Sequence, residues 1–313
     1  MQACYVLFVT VLMQLPHDIL GQGLSMSDIL RASDPPLVEI ITNAAGLRTL
    51  EGPVWVPARR ALIFSDLGNR QMLEFRRGNL NAVRVNWGGN GNVLDLGGSV
   101  LTANSNAGVG GVTRVSNDGG DPLTILADSF EGRKFNNPND VAVKSDGSIW
   151  FTDPNYGAAV RRNQEQDGQY VYRRGPDGTV TAVVTDGDKP NGIGFSPDES
   201  RLYFTDANPS RLRAFDVLGD GDRVSATPAW EAEVGLADGL TVDTEGNVYV
   251  AGRDGIHVFN KDGRKYGVIA VPKRTRNVCF GGRRYNQLFI TAGNSVYRLP
   301  IAKTGHKPSG AEW

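Results

Sequence analysis

Short apolar runs separated by polar turns fill the chain from about residue 37 to 301, and no long segment carries apolar residues at three-four spacing. Six runs are the most apolar: Ile63-Phe-Ser-Asp66, Leu101-Thr-Ala-Asn104, Trp150-Phe-Thr-Asp153, Tyr203-Phe-Thr-Asp206, Tyr249-Val-Ala-Gly252 and Phe289-Ile-Thr-Ala292. Each reads as a buried strand, being short, rich in β-branched and aromatic residues and bounded by turn formers. Their second residues fall at positions 64, 102, 151, 204, 250 and 290, so the steps are 38, 49, 53, 46 and 40. A period of that size with several strands per unit predicts an all-β fold, a six-bladed β-propeller. An irregular β-sandwich is the alternative, and it would not need six copies of one unit. Within the third unit, Asp146-Gly147 between two strands predicts a two-residue hairpin turn.

The flanks read differently. Ala3 to Met13 is apolar and uncharged, too short to span a bilayer but suited to the core of a secretory signal. No Lys or Arg precedes Arg31, so the positive start of such a signal is missing, and a segment packed on the domain is the other reading. A secreted or periplasmic location is favoured slightly over a cytoplasmic one. Ser25 to Arg31 predicts a turn or two of helix capped by Ser25 or Ser27. Asp34-Pro-Pro36 is a stiff break, after which Leu37 to Ile41 reads as a strand. The expected organisation is a leader and linker over 1–36, the propeller over 37–301, and a polar, fraying tail over 302–313.

Polar residues recur in register with the strands. Glu51, Asn139, Asn191 and Asp238 lie 14, 13, 14 and 13 residues ahead of Ser65, Thr152, Thr205 and Ala251. Equivalent positions on the inner strands of a propeller converge on its axis, so two carboxylates and two amides are expected to meet there. An all-oxygen set with two negative charges suits one hard divalent cation, Ca²⁺ before Zn²⁺, Mg²⁺ or Mn²⁺. The same count reaches Asn90 in the second unit and Asn277 in the sixth. Asn277 precedes Val-Cys-Phe and is expected to line the channel, whereas Asn90, within Gly88-Gly-Asn-Gly-Asn92, reads as a turn residue. Asp66, Asp153 and Asp206 are expected to tie turns structurally, and Trp55 and Tyr156, though near the mouth, read as core aromatics.

Charge and rare residues exclude several classes. Lys plus Arg number 33 against 34 Asp plus Glu, so no basic excess exists for nucleic acid. Two cysteines, Cys4 and Cys279, allow no disulfide framework and no sulfur-based metal site. Of the three histidines, only His257 lies outside the tails, and its setting in Gly-Ile-His-Val-Phe259 makes it a strand side chain and not a triad base.

The motifs Glu51-Gly-Pro-Val-Trp55, Asn136-Asn-Pro-Asn-Asp-Val141, Ser145-Asp-Gly-Ser-Ile-Trp-Phe-Thr-Asp-Pro154, Pro190-Asn-Gly-Ile193 with Phe195-Ser-Pro-Asp198, and Asp238-Gly-Leu240 with Asp243 run over residues 47 to 299. Together they resemble the gluconolactonase, senescence-marker-protein and luciferin-regenerating-enzyme family of six-bladed propellers. That resemblance implies one divalent cation at Glu51, Asn139, Asn191 and Asp238, with Asp238 as general acid or base, and hydrolysis of a sugar-type lactone. Substrate contacts are expected at Asn137, Asn139 and Asn277. Some members carry an arginine where this chain has Asn137, and an acidic-His pair where it has Leu101-Thr-Ala-Asn-Ser-Asn106, so the particular lactone is left open. The alternatives are a phosphotriesterase or phosphofluoridate-type hydrolase on the same site, and a non-catalytic ligand-binding propeller. The expected partner is a small lactone, without nucleic acid or a transmembrane span, and the chain is expected to be a monomer or weak homodimer.

Overall fold

In the computed structural model the described residues are 24–30, 38–41, 46–105, 110–115, 123–307 and 310–311. The apolar run Ala3 to Met13 lies outside them. Six antiparallel sheets follow one another along the chain. In the first, Leu50–Val56, Ala61–Asp66, Gln71–Arg76 and Asn79–Val85 pair in sequence order. The second is Gly89–Leu94, Val100–Asn104, Gly111–Val115 and Thr124–Ala127. The third is Val141–Val143, Ile149–Asp153, Tyr170–Arg174 and Val180–Val184. The fourth is Pro190–Phe195, Arg201–Asp206, Arg211–Leu218 and Trp230–Glu233, with Arg223–Val224 as an excursion. The fifth is Leu240–Val242, Val248–Ala251, Gly255–Phe259 and Lys265–Ala270. The first strand of each blade packs beside the first strand of its neighbours, and these inner strands close a circle. The expected six-bladed propeller is therefore what the chain forms.

The sixth blade draws on both ends of the chain. Thr275–Gly281, Gln287–Ala292 and Ser295–Pro300 supply three strands, and the outer one is Val38–Ile41, antiparallel to Ser295–Pro300. The segment read as a lone strand after the Pro-Pro break thus fastens the ring shut.

Both faces of each blade are covered, which explains why the second strands read as unbroken apolar runs. Adjacent side chains point to opposite faces. Accordingly Phe151 joins a cluster with Leu101, Ala103 and Tyr172, while its neighbour Trp150 joins one with Phe195, Leu202 and Phe204. Six such clusters fill the six seams between blades. Trp55 is a core aromatic as expected, stacked on Phe289 at 5.4 Å.

Two local expectations are amended, and a third is narrowed to one of its readings. The Asp146-Gly147 turn is longer than two residues: Val143 pairs with Ile149, and Lys144 N–H donates to Ser148 O. Gly147 takes the left-handed conformation (φ +80°), while the Asp146 carboxylate accepts from Ser148 N–H and Oγ–H and so orders the loop by a side-chain turn. Ser25 caps a single 3₁₀ turn, Met26–Asp28, after which Ile29 is fully buried against the fifth and sixth blades. Residues 302–307 of the tail are held rather than frayed. Ala302 N–H donates to Ile29 O, Gly305 N–H to Tyr285 O and His306 N–H to Val242 O. Among the described residues no helix is long and apolar enough to cross a membrane.

Candidate active site

The second strands aim the inner ones. Asp66, Asp153 and Asp206 end their strands fully or nearly fully buried. Each carboxylate accepts backbone N–H groups just ahead of the polar residue that opens its blade. Asp66 accepts from Arg48 and Thr49, Asp153 from Asn136 at 2.8 Å and Asn137 at 2.6 Å, and Asp206 from Asp188 and Lys189. The structural role expected of these aspartates is thereby specified: they place the residues of the ring. Asp153→Ala would strand two such donors, and it is expected to lower unfolding free energy by about 3 kcal/mol, measured by urea denaturation.

Hydroxyls one residue earlier join each blade to the next. Ser65 Oγ–H donates to Asn90 O, Thr152 Oγ1–H to Asn191 O, and Thr205 Oγ1–H to Asp238 O. Where this hydroxyl is replaced by alanine, a bulge glycine does the same work: Gly91 N–H donates to Asn139 O and Gly239 N–H to Arg276 O. The carbonyls so bonded mark one level of the channel, and around it run Asn90, Asn139, Asn191, Asp238 and Arg276, joined by Glu51, which pairs with Ser65. Two assignments by counting change. Asn90 stands at ring level within a strand, 9% exposed, and is not a turn residue. In the sixth blade ring level belongs to Arg276; Asn277 sits one step deeper, and its carbonyl accepts from Thr291 of its own blade.

Below the ring lies a floor. The residue after each ring position is Gly52, Gly91, Asp140, Gly192, Gly239 and Asn277 in turn. A Cβ at Gly91 would meet the Asp140 carboxylate, and one at Gly239 the Asn277 amide, so glycines clear the space that two polar side chains fill. Asn277 Nδ2 donates to Asp140 Oδ2 at 3.3 Å, and each side-chain oxygen also accepts the following backbone N–H. Burial raises the Asp140 carboxyl to about 7, with the Val141 N–H and Asn277 bonds pulling it back. A cavity of about 160 Å³ lies on the far side, lined by Asp140, Asn277, Asn92 and apolar side chains such as Phe280, but by none of Glu51, Asn139, Asn191 or Asp238. Asn277 thus lines the channel as expected, beneath the ring.

The ring itself is buried and charged: Glu51, Asn139, Asn191 and Asp238 are 6%, 8%, 6% and 5% exposed. Burial, then the charge of Asp238, pushes the Glu51 carboxyl well above its usual range. Burial likewise lifts Asp238 to about 6, against the pull of Arg276 and Arg274. Arg274 Nη2 and Arg276 Nη1 stand 3.6 and 3.7 Å from Asp238 Oδ2. Asn191 Nδ2 donates to the Tyr156 hydroxyl at 3.0 Å, so Tyr156 is a wall of the site and not core. Asn137 is half-buried; its Nδ2 donates to Tyr156 O at 3.4 Å while its Oδ1 is buried without a hydrogen-bond partner. Lys189 covers the Tyr156 ring at 5.4 Å and donates to Asn155 Oδ1.

Two repelling carboxylates among oxygen-bearing amides fit a hard cation, because such a charge pair is otherwise costly to bury. Among the described residues no group of three His, Cys, Asp or Glu side chains could hold a metal; the ring carries two carboxylates with the Asn139 and Asn191 amides beside them. Arg274 and Arg276 escaped the sequence reading because neither matches the opening Asn/Asp/Glu, and the one available signal was that the sixth unit opens Thr-Arg-Asn with a basic residue at the bulge.

The profile of the SMP-30/gluconolactonase/LRE-like region matches residues 50–294. The gluconolactonase of Zymomonas mobilis is 28% identical over 304 residues, spanning 87% of this chain and 82% of that protein. Among solved structures, a gluconolactonase from Xanthomonas campestris superposes with a TM-score of 0.76 at 30% identity, covering 88% of this chain and 92% of that one. The calcium-binding regucalcin of Agrobacterium tumefaciens shares the fold, with a TM-score of 0.68 at 21% identity over 84% of this chain and 93% of its own. By sequence over the whole propeller and by structure, this chain belongs to the SMP-30/gluconolactonase/LRE-like family.

Proposed function

We propose that the protein is a metal-dependent lactonase that opens a sugar-type lactone to its hydroxy acid. The observation that carries the reading is the pair of buried carboxylates, Glu51 and Asp238, set at one level with Asn139 and Asn191 in a chain whose relatives include gluconolactonases. Glu51, Asn139, Asn191 and Asp238 would hold one divalent cation, Ca²⁺ first, and a bound ion of this kind supplies Lewis-acid polarisation of an ester carbonyl. The remaining chemistry belongs to the side chains. Asp238 takes a proton from the attacking water. The water oxygen bonds to the carbonyl carbon, the ring C–O bond breaks, and the proton passes to the departing ring oxygen. Asn137, whose Oδ1 has no hydrogen-bond partner, would accept from a substrate hydroxyl, and the Tyr156 hydroxyl, held by Asn191, would stand on the substrate's side of the ring. Asn277, expected to contact substrate, lies one step beneath the ring and lines the cavity on its far side.

Acid release from a panel of lactones, with and without EDTA, tests the reading. Chelation should abolish turnover, and added metal should restore it. Glu51→Gln removes one of two ligand charges, and calcium titration should show affinity lower by about 100-fold. Activity indifferent to chelator, together with unaltered calcium binding in Glu51→Gln, would refute the metal.

A further inference from the structure

We propose that Arg274 and Arg276 seat a second anionic group of the substrate, so that the preferred lactone carries a carboxylate or phosphate on its side arm. This rests on the lactonase reading and names the substrate class for the same site. Both arginines come from the opening of the sixth blade. Gly293 N–H donates to Arg274 O and Gly239 N–H to Arg276 O, so the backbone behind each side chain is fixed. Their closest approaches to Asp238 Oδ2, 3.6 and 3.7 Å, are ion-pair distances longer than a close hydrogen bond. Arg276 Nε is buried with no hydrogen-bond partner, an unspent donor at the level of the ring. The side chains are 44% and 30% exposed, which leaves them open on the mouth side.

Charge makes the same point. Glu51, Asp238 and the Asp140 beneath them carry at most three negative charges against the two positive charges of Arg274 and Arg276. A divalent ion at the ring then leaves the site with excess positive charge, which a neutral lactone does nothing to offset. An anionic side arm does, and a guanidinium fork suits a carboxylate or a phosphate equally in kind. Lys189 does not compete for this role, because its ammonium is taken up by Asn155 Oδ1 and the Tyr156 ring.

The test compares kcat/KM for three lactones of one ring size, with a hydroxymethyl, a carboxylate or a phosphorylated side arm, in wild type, Arg274→Gln and Arg276→Gln. Wild type should favour an acidic arm by about 10- to 100-fold, the scale of one or two charge-assisted hydrogen bonds. Either substitution should erase most of that preference, read as the ratio of kcat/KM for acidic over neutral lactone, so that any common change through Asp238 cancels. Which acidic arm gains more distinguishes carboxylate from phosphate. An equal fall on all three substrates would make the arginines donors to the reacting carbonyl and overturn the proposal, as would an unchanged ratio. Calorimetric binding of an open-chain sugar diacid against the matching monoacid, in metal-loaded and chelator-stripped protein, reads the seat without turnover. If wild type opens no lactone, the lactonase reading fails, and preference for the diacid, lost in Arg276→Gln, still supports the seat. Should Arg276→Gln not fold, Arg274→Gln, the more exposed of the two, carries the comparison.

Discussion

Asp238→Asn is expected to lower kcat for lactone opening by about 100-fold or more even at saturating metal, besides weakening the ion as Glu51→Gln does. The amide keeps an oxygen donor of similar reach but cannot take a proton, and loss of a positioned base costs on the order of 10²–10⁴-fold. Asp238→Ala is the contrast: it loses donor and base together, and both metal binding and turnover should fall. Asn191→Ala should weaken the ion and release the Tyr156 hydroxyl, with activity recovered at high metal concentration. Isothermal titration with metal, beside initial rates, separates these cases. A rate for Asp238→Asn near wild type would leave Asp238 a ligand only and send the base function elsewhere.

Removing residues 1–41 is the second large effect expected. It takes away Val38–Ile41, exposing the ladder edge of Ser295–Pro300. It also deletes Ile41, 6% exposed against Leu50, Phe64 and Phe289, and the turn that buries Ile29 between Tyr249 and Leu299. Fully burying an aliphatic side chain contributes about 1.5–3 kcal/mol, so two of them with a strand's hydrogen bonds amount to roughly 5 kcal/mol. For a domain of this size about 2–4 °C of Tm accompanies each kcal/mol, so a drop on the order of 10 °C or more is expected by calorimetry. The bare edge should also promote association, visible by light scattering. A truncated protein that melts with the full chain would show that the ring closes without its outer strand.

How far the chain could be read depended on whether a feature repeats locally. Trp150-Phe-Thr-Asp153 and its counterparts announced the blades because strands buried on both faces must be apolar throughout. The same runs carried the hydroxyl that joins neighbours and the aspartate that places the ring, so Glu51, Asn139, Asn191 and Asp238 fell out of simple spacing. Spacing failed where the backbone bulges. One extra residue shifts every later side chain, and nothing local tells Arg276 from Asn277; only the Gly239 N–H to Arg276 O bond does. Asn90 was hidden by its glycine neighbours: Gly91 clears room for Asp140 and Gly89 for Trp87 and Thr102, and neither marks a turn. Tyr156 was hidden because its place depends on a loop crossing from the third blade to Asn191 of the fourth. Pairing of Val38 with Arg298 has no local signature at all.

That pairing also has a meaning in time. The strand Val38–Ile41 leaves the ribosome early, and its partner Ser295–Pro300 is made only after all of residues 42–294. At about 5–20 residues per second the early strand waits roughly ten to fifty seconds for the surface it belongs to. Five blades can stack during that delay, but Arg276 and Asn277 arrive with the sixth. A nascent chain therefore holds its two ring carboxylates before the arginines that face them and before the amide that completes the floor. Folding of this protein finishes at its ring, with Val38–Ile41, synthesised long before its partner strand, among the last to be docked.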